Sequence, residues 1–308
     1  MLPFTALSKG SGRGRRVELS ATAKVNLALE ILGRRADGYH EIVTVMQAVE
    51  LSDRLVLEDA DALELRIARP RTAHGEVSAD GSNLALRATR ALREAAGVDR
   101  GVRITLDKHI PVAAGLGGGS ADAAAVLMGL NRLWRLRWPV ARLADVATTL
   151  GMDVPFFLRG GTAFATGRGE KLDRVPGMAL ALVLVNPRFA SSTAEAYGRL
   201  TPSMYSDGAR ARAVVAALGA RRAERVAGSL YNGLEATVGP VHPEIDRMKA
   251  TLLAAGALGA VMSGSGPTVF AVARSLDHAR QIRRRVQRAS WDCWAVRTLA
   301  GPAVRVRK

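Results

Sequence analysis

A single cysteine, Cys293, stands among 308 residues, so the chain cannot close an intramolecular disulfide and nothing in it asks for an oxidising compartment. Long hydrophobic runs are also missing. The longest, residues 178–185, is far short of the roughly 20 residues that a helix needs to cross a bilayer. Residues 1–16 hold no apolar stretch of the kind that marks an export signal. A soluble, cytoplasmic chain without membrane contact is therefore expected, with a flexible tail over residues 1–16. Acidic residues are few: 28 Asp+Glu face 44 Lys+Arg, leaving a net charge of +16. Aromatic residues, at 5%, are too sparse to interleave with that basic charge as nucleic-acid surfaces require. Of the basic residues only Lys9, Lys24, Lys108, Lys171, Lys249 and Lys308 are lysine, so an arginine- and alanine-heavy composition accounts for the excess, and nucleic acid is not the expected partner.

What remains is globular: 48% hydrophobic and 23% charged residues, with glycine and proline scattered rather than periodic. Residues 17–30 alternate, with Val17, Leu19, Ala21, Ala23, Val25 and Leu27 on one face and Glu18, Ser20, Thr22, Lys24 and Asn26 on the other, which predicts a half-buried strand. Further strands are predicted at 43–51, 63–67, 102–106, 162–166, 180–185, 268–272 and 294–298. Helices are predicted from a Ser82 or Asn83 cap to Gly97, at 121–134, and at 140–150 between Pro139 and Gly151. Others fit 209–218, 244–255 and 276–287. The irregular mixture argues α+β rather than a doubly wound sheet, and no internal repeat is present.

The segment Pro111-Val-Ala-Ala-Gly115-Leu-Gly117-Gly118-Gly119-Ser120-Ala-Asp122 follows a strand and opens an alanine-rich helix. Glycines allow backbone to approach an anion closely, and a helix start offers unpaired N–H groups and a favourable dipole. No Gly-Lys-Ser/Thr follows, so this is not a Walker A loop, and Ser120 occupies the third glycine slot of a dinucleotide fingerprint. Taken singly, Lys24 with Asn26 is an exposed strand face and Asp153 a turn carboxylate. Residues 263–268 could be a plain turn.

Together, four blocks resemble the GHMP kinase superfamily. They are Lys24-Val25-Asn26 with Asp37-Gly38-Tyr39-His40, the glycine loop, Asp153-Val154-Pro155, and Ser263-Gly-Ser-Gly-Pro-Thr268. The Asp-Gly-Tyr-His block close behind Lys-Val-Asn narrows the likeness to the branch that phosphorylates a cytidylylated methylerythritol. The resemblance runs from about residue 17 to the end. It implies a two-domain α+β fold, divided as 17–163 and 164–308, with the active site in the cleft between an N-terminal ATP-binding lobe and a C-terminal substrate lobe.

ATP and Mg²⁺ are the implied cofactors, Lys24 and Asp153 the implied catalytic pair. Asn83, Lys108, Pro111, Ala113, Ala114, Gly115, Leu116, Gly117, Gly118, Gly119, Ser120 and Ala121 would hold the nucleotide, with Ser120 also at the metal. Asn26, Tyr39, His40, Asp153, Thr193 and Tyr197 would hold the other substrate, Tyr39 stacking on its cytosine and His40 reading the ring's edge. A small-molecule kinase of the homoserine or mevalonate type is the nearest alternative, though a stacking tyrosine has no task with so small a substrate. A basic nucleic-acid-binding protein is the more distant one. A monomer or weak homodimer is expected. Met152 departs from the pattern, standing where a small or polar residue is usual.

Overall fold

The structure, a computed structural model, describes residues 15–68, 71–72 and 75–306, and most of the expected tail lies outside them. The chain opens with β1 (Arg16–Arg34) and β2 (His40–Ala60), a long antiparallel pair. The turn between them uses Gly38 at φ 84°, and the Asp37 carboxylate accepts the Tyr39 N–H at 3.1 Å. There follow β3 (Leu63–Ile67), the short pair β4 (Arg71–Thr72) and β5 (Gly75–Glu76), α1 (Leu84–Ala96), β6 (Gly101–Asp107), α2 (Gly118–Leu133), α3 (Val140–Leu150), α4 (Val154–Arg159), β7 (Thr162–Thr166) and β8 (Lys171–Arg174). The second half adds β9 (Ala181–Asn186), α5 (Thr193–Gly198), α6 (Ala209–Gly219), α7 (Ala223–Ser229), β10 (Tyr231–Asn232), α8 (Glu235–Val238), α9 (Glu244–Ala254), β11 (Gly259–Met262), β12 (Val269–Ala273), α10 (Leu276–Val286), β13 (Asp292–Arg297) and β14 (Val304–Val306).

Two sheets organise these elements. The first runs β10-β1-β2-β6-β3, with β14 on β1, β7 on β2 and β8 on β7. The second, β11-β12-β9-β13, is antiparallel throughout. The α+β reading holds. β7 crosses the boundary expected between residues 163 and 164 and stays with the first sheet, paired to β2 and β8. Both β10 and β14 return to β1 from the chain's second half, so sequence order and lobe membership diverge.

Helices α1, α2, α3 and α4 cover one face of the first sheet, burying Leu92, Leu127, Leu130, Phe156 and Phe157 against Leu19, Leu55 and Leu57. Each such large apolar side chain contributes about 1.5–3 kcal/mol. The other face is covered too: Val25, Leu27, Val43 and Val45 pack with Leu182, Leu184 and Phe270 of the second sheet and Val214 of α6. The half-buried strand predicted over 17–30 is therefore buried on both faces along its inner part. Lys24, Asn26 and Glu30 lie inside rather than on a solvated face. A bulge between Asn26 and Ala28 also breaks the strict alternation.

Helix ends follow the local chemistry. Asn83 caps α1, its side chain accepting the Ala85 N–H at 2.9 Å, and Gly97 closes it in the left-handed conformation at φ 63°. Replacing Asn83 by Ala should lower the unfolding free energy by about 1 kcal/mol in urea titration, and Asn83→Ser should restore most of it. No change with Ala would mean that the helix start is held elsewhere.

Candidate active site

A cavity of about 950 Å³ opens where the two sheets meet, walled by both halves of the chain. Of the residues expected at the site, Leu116 and Ala121 stand off this wall and all the others line it. Leu116 turns its side chain into the core and gives its carbonyl to the Lys24 N–H at 3.0 Å. Ala121 is packed between α2 and the first sheet.

Lys24 is the centre of the arrangement. Only 4% exposed, its ammonium donates to Asn26 Oδ1 at 2.7 Å and lies 3.4 Å from Asp153 Oδ2. Asn26 donates in turn to Thr44 Oγ1 at 2.8 Å, and Thr44 to the Ala28 carbonyl at 2.6 Å. That chain fixes which way the Asn26 amide faces: its oxygen is left for the lysine. Asp153 stands at the start of α4 but makes no cap hydrogen bond, so its carboxylate is free to meet Lys24.

The glycine loop is held down from the second lobe. Ser263 Oγ donates to the Gly115 carbonyl at 3.0 Å, and Asn232 Nδ2 donates to the carbonyls of Met262 and Gly264, each at 2.8 Å. Gly115 sits at φ +74°, and a Cβ there would come within 2.0 Å of the Ser263 carbonyl oxygen. At Gly264 a Cβ would stand 3.3 Å from the Lys24 ammonium, so the turn over residues 263–266 closes directly over the lysine. Ser265 and Thr193 join their hydroxyls at 2.8 Å at the cavity's rim.

Beneath the loop, Lys108 bridges two buried carboxylates. Its ammonium pairs with Asp53 and with Asp122 Oδ2, the latter at 2.7 Å. Asp53 Oδ1 also accepts the N–H groups of His109 and Ile110, at 2.5 and 2.8 Å, which anchors the approach to the loop. Burial works against the Lys108 ammonium, yet Asp122 and Asp53 outweigh it and raise its pKa above the usual lysine value. Burial pushes the Asp122 carboxyl above the usual carboxylate range, Lys108 pulling it back down and the neighbouring Asp53 charge adding to the rise.

At the opposite end Tyr39 is 52% exposed, with the Arg168 guanidinium 5.0 Å from its ring centroid. The His40 ring lies 5.3 Å from Tyr197, tilted by 41°, and 6.3 Å edge-on from Tyr205. Burial, with Arg34 second, lowers the His40 pKa, so its imidazole is neutral at pH 7. Burial and the nearby Asp153 charge push the Tyr197 phenol well above its ordinary value.

Five participants escape the motif reading: Asp53, Asp122, Arg168, Tyr205 and Ser265. Asp53 shares the parity of Leu51, Leu55 and Leu57 in β2, and a carboxylate on a core-facing register is a signal in itself. Arg168 sits between Gly167 and Gly169, a turn that presents a cation. Asp122 and Ser265 lie inside the quoted motifs. Tyr205 carries no local signal.

Comparison with known proteins matches residues 83–161 to the GHMP kinases N terminal domain and residues 214–292 to the GHMP kinases C terminal family. The 4-diphosphocytidyl-2-C-methyl-D-erythritol kinase of Pelotomaculum thermopropionicum is 46% identical over 279 residues, covering 90% of this chain and 96% of its own. That of Symbiobacterium thermophilum is 47% identical over 287 residues, covering 92% and 100%. A crystal structure of a 4-(cytidine 5'-diphospho)-2C-methyl-D-erythritol kinase superposes with a TM-score of 0.78 at 37% identity, over 92% of this chain and 100% of that one. A homoserine kinase from Cytophaga hutchinsonii, at 22% identity and a TM-score of 0.72 over 98% and 100%, shares the fold.

Gly115→Ala meets both a left-handed φ and a backbone oxygen, so it should cost at least about 3 kcal/mol of stability or prevent folding, read by urea unfolding. A near-neutral result would show that the loop and the turn over residues 263–266 are not in fixed contact.

Proposed function

The chain belongs to the GHMP kinases and, among them, to the 4-diphosphocytidyl-2-C-methyl-D-erythritol kinases, and from that premise we propose that Lys24 and Asp153 are the catalytic pair that works on a methylerythritol hydroxyl. ATP supplies the phosphoryl group, and the products are the 2-phosphate and ADP. One observation carries the reading. The Lys24–Asp153 pair lines one cavity together with a glycine loop suited to phosphates and with Tyr39, His40 and Tyr197, suited to a cytosine ring.

Phosphoryl transfer asks the protein mainly for alignment and charge stabilisation. Asp153 accepts the substrate hydroxyl's proton or orients it, while Lys24 holds that hydroxyl beside the carboxylate. Pro111, Ala113, Ala114 and Gly115 with Gly117, Gly118 and Gly119 wrap the phosphates. Lys108 stands under the loop, and Asn83 borders the base. Asn26, Tyr39, His40, Thr193 and Tyr197 receive the cytidylyl substrate, Tyr39 stacking and neutral His40 reading the base edge. Arg168, on the same wall and against Tyr39, adds a cation suited to that substrate's diphosphate.

Magnesium suits this wall, where Ser120 offers a hard oxygen at the helix start. When bound, the ion neutralises nucleotide phosphate charge. Among the described residues no helix is long and apolar enough to cross a membrane. We place the enzyme in the cytoplasm, acting as a monomer or weak homodimer.

Asp153→Asn should reduce kcat at least about a hundredfold in coupled ADP release, with wild-type turnover confined to the cytidylyl compound and absent with mevalonate or homoserine. Ordinary turnover by the variant would remove Asp153 from the chemistry. Because the lowered His40 pKa keeps the ring neutral, KM for the cytidylyl substrate should stay level from pH 8 down to 7. It should rise only at pH below the ordinary imidazole range, as the ring gains its proton. The same rise in His40→Asn would show that another group titrates.

A further inference from the structure

The buried cluster beneath the glycine loop is short of positive charge. Lys108 brings one cation to Asp53 and Asp122, and their oxygens are used unequally. Asp53 is fully served, by Lys108 and by two backbone N–H groups. Asp122, only 3% exposed, gives Oδ2 to Lys108 and leaves Oδ1 buried with no hydrogen-bond partner. A buried carboxylate oxygen without a donor costs free energy unless a ligand completes it.

The residue's position says what kind of ligand that is. Asp122 lies on the cavity wall, in the first turns of α2 two residues beyond Ser120, and Lys108 Nζ lies 3.2 Å from the point where a Cβ at Gly118 would stand. A free triphosphate brought here would add anionic charge beside two carboxyl groups that already share one lysine. A nucleotide carrying a divalent cation brings the missing positive charge with it. Magnesium is commonly held in this way, by one or two carboxylates together with nucleotide phosphates and its own waters.

We infer that Asp122 Oδ1 receives the nucleotide-bound divalent cation, directly or through one of its waters, and so makes the phosphate loop select metal-bound over free nucleotide. Asp122 is thereby a positioning and selectivity residue, and its ion pair keeps Lys108 beneath the loop meanwhile. The inference rests on the kinase reading above, and its test is one of binding rather than turnover.

Titration calorimetry of a non-hydrolysable ATP analogue onto the full chain, with Mg²⁺ or with EDTA, reads the selectivity directly. Wild type should bind the magnesium form at least about tenfold more tightly. Asp122→Asn, the same shape without the charge, should lose most of that preference, weakening the magnesium form while leaving the free nucleotide as tight or tighter. Asp122→Glu should keep the preference. A purely structural role would weaken both forms alike. Where the Asn variant does not fold, Asp122→Ser, also neutral, takes its place. A wild type without preference, or a neutral variant that retains it in full, overturns the inference while the kinase reading stands. No nucleotide binding in any arm would instead bring down the kinase reading itself.

Discussion

Everything in the cleft depends on holding one ammonium, that of Lys24, inside the protein at a fixed point. A buried lysine is tolerable only where oxygens surround it, and here they arrive from two separate stretches of chain while a third closes over them. Asn26 comes from the same strand and Asp153 from the start of α4, while the turn over residues 263–266 closes from the far lobe. Small residues at Gly115 and Gly264 are the condition for that convergence, since a Cβ at either would strike backbone or the lysine's own surroundings. The Asn26–Thr44–Ala28 relay extends the same logic outward: each group's orientation is dictated by the next, and the last acceptor is backbone that cannot turn.

This convergence also explains the lobes. A boundary drawn in sequence between residues 163 and 164 would cut β7 and leave β10 and β14 to cross back unaided, yet all three belong to the first sheet. The apolar cluster of Val25, Leu27, Leu182, Leu184 and Phe270 runs through the junction without interruption. A continuous core at that point keeps the two walls of the cavity in register, which a hinge of loops alone would not. Hydroxyl contact between Thr193 and Ser265 adds polar closure at the rim, where burial is too slight for apolar packing to act.

How much of this was legible in the sequence depended on whether the signal was local. Helix α1 announced both its ends, through the Asn83 side chain and through Gly97, because capping is decided within a few residues. Helix α3 and strand β7 fell on the predicted bounds between Gly or Pro stops, and strand β3 did so through the alternation of Leu63, Leu65 and Ile67. Helix α4 did not, for its six residues are too few to display a period, and Asp153-Val-Pro reads equally as a turn. The alternation of β1 misled in one respect. A polar residue at every second position describes a face but not what covers it, and the cover came from residues more than a hundred positions away. The glycine loop, Lys24, Asp153 and the Tyr39-His40 pair were legible as motifs. Asp53, Arg168 and Tyr205 became functional candidates only when the fold brought them to those motifs.

The charge distribution resolves the remaining tension in a chain of +16 net charge. Its excess arginine includes the exposed run Arg283-Arg284-Arg285 near the end of α10, outside every motif. Such a surface raises the local concentration of any anion, nucleotide and cytidylyl diphosphate alike, without discriminating between them. Discrimination needs the opposite: a few charges, buried, with their signs nearly balanced. Lys24 is matched by Asp153, and Lys108 is overmatched by Asp53 and Asp122. The cleft is thus a small balanced site inside a strongly basic protein, and balance makes the arrival of one further charge consequential. In a uniformly positive pocket an added cation would be repelled and a proton on the wrong group would go unnoticed. Here either one changes which partner the lysine or the carboxylate keeps.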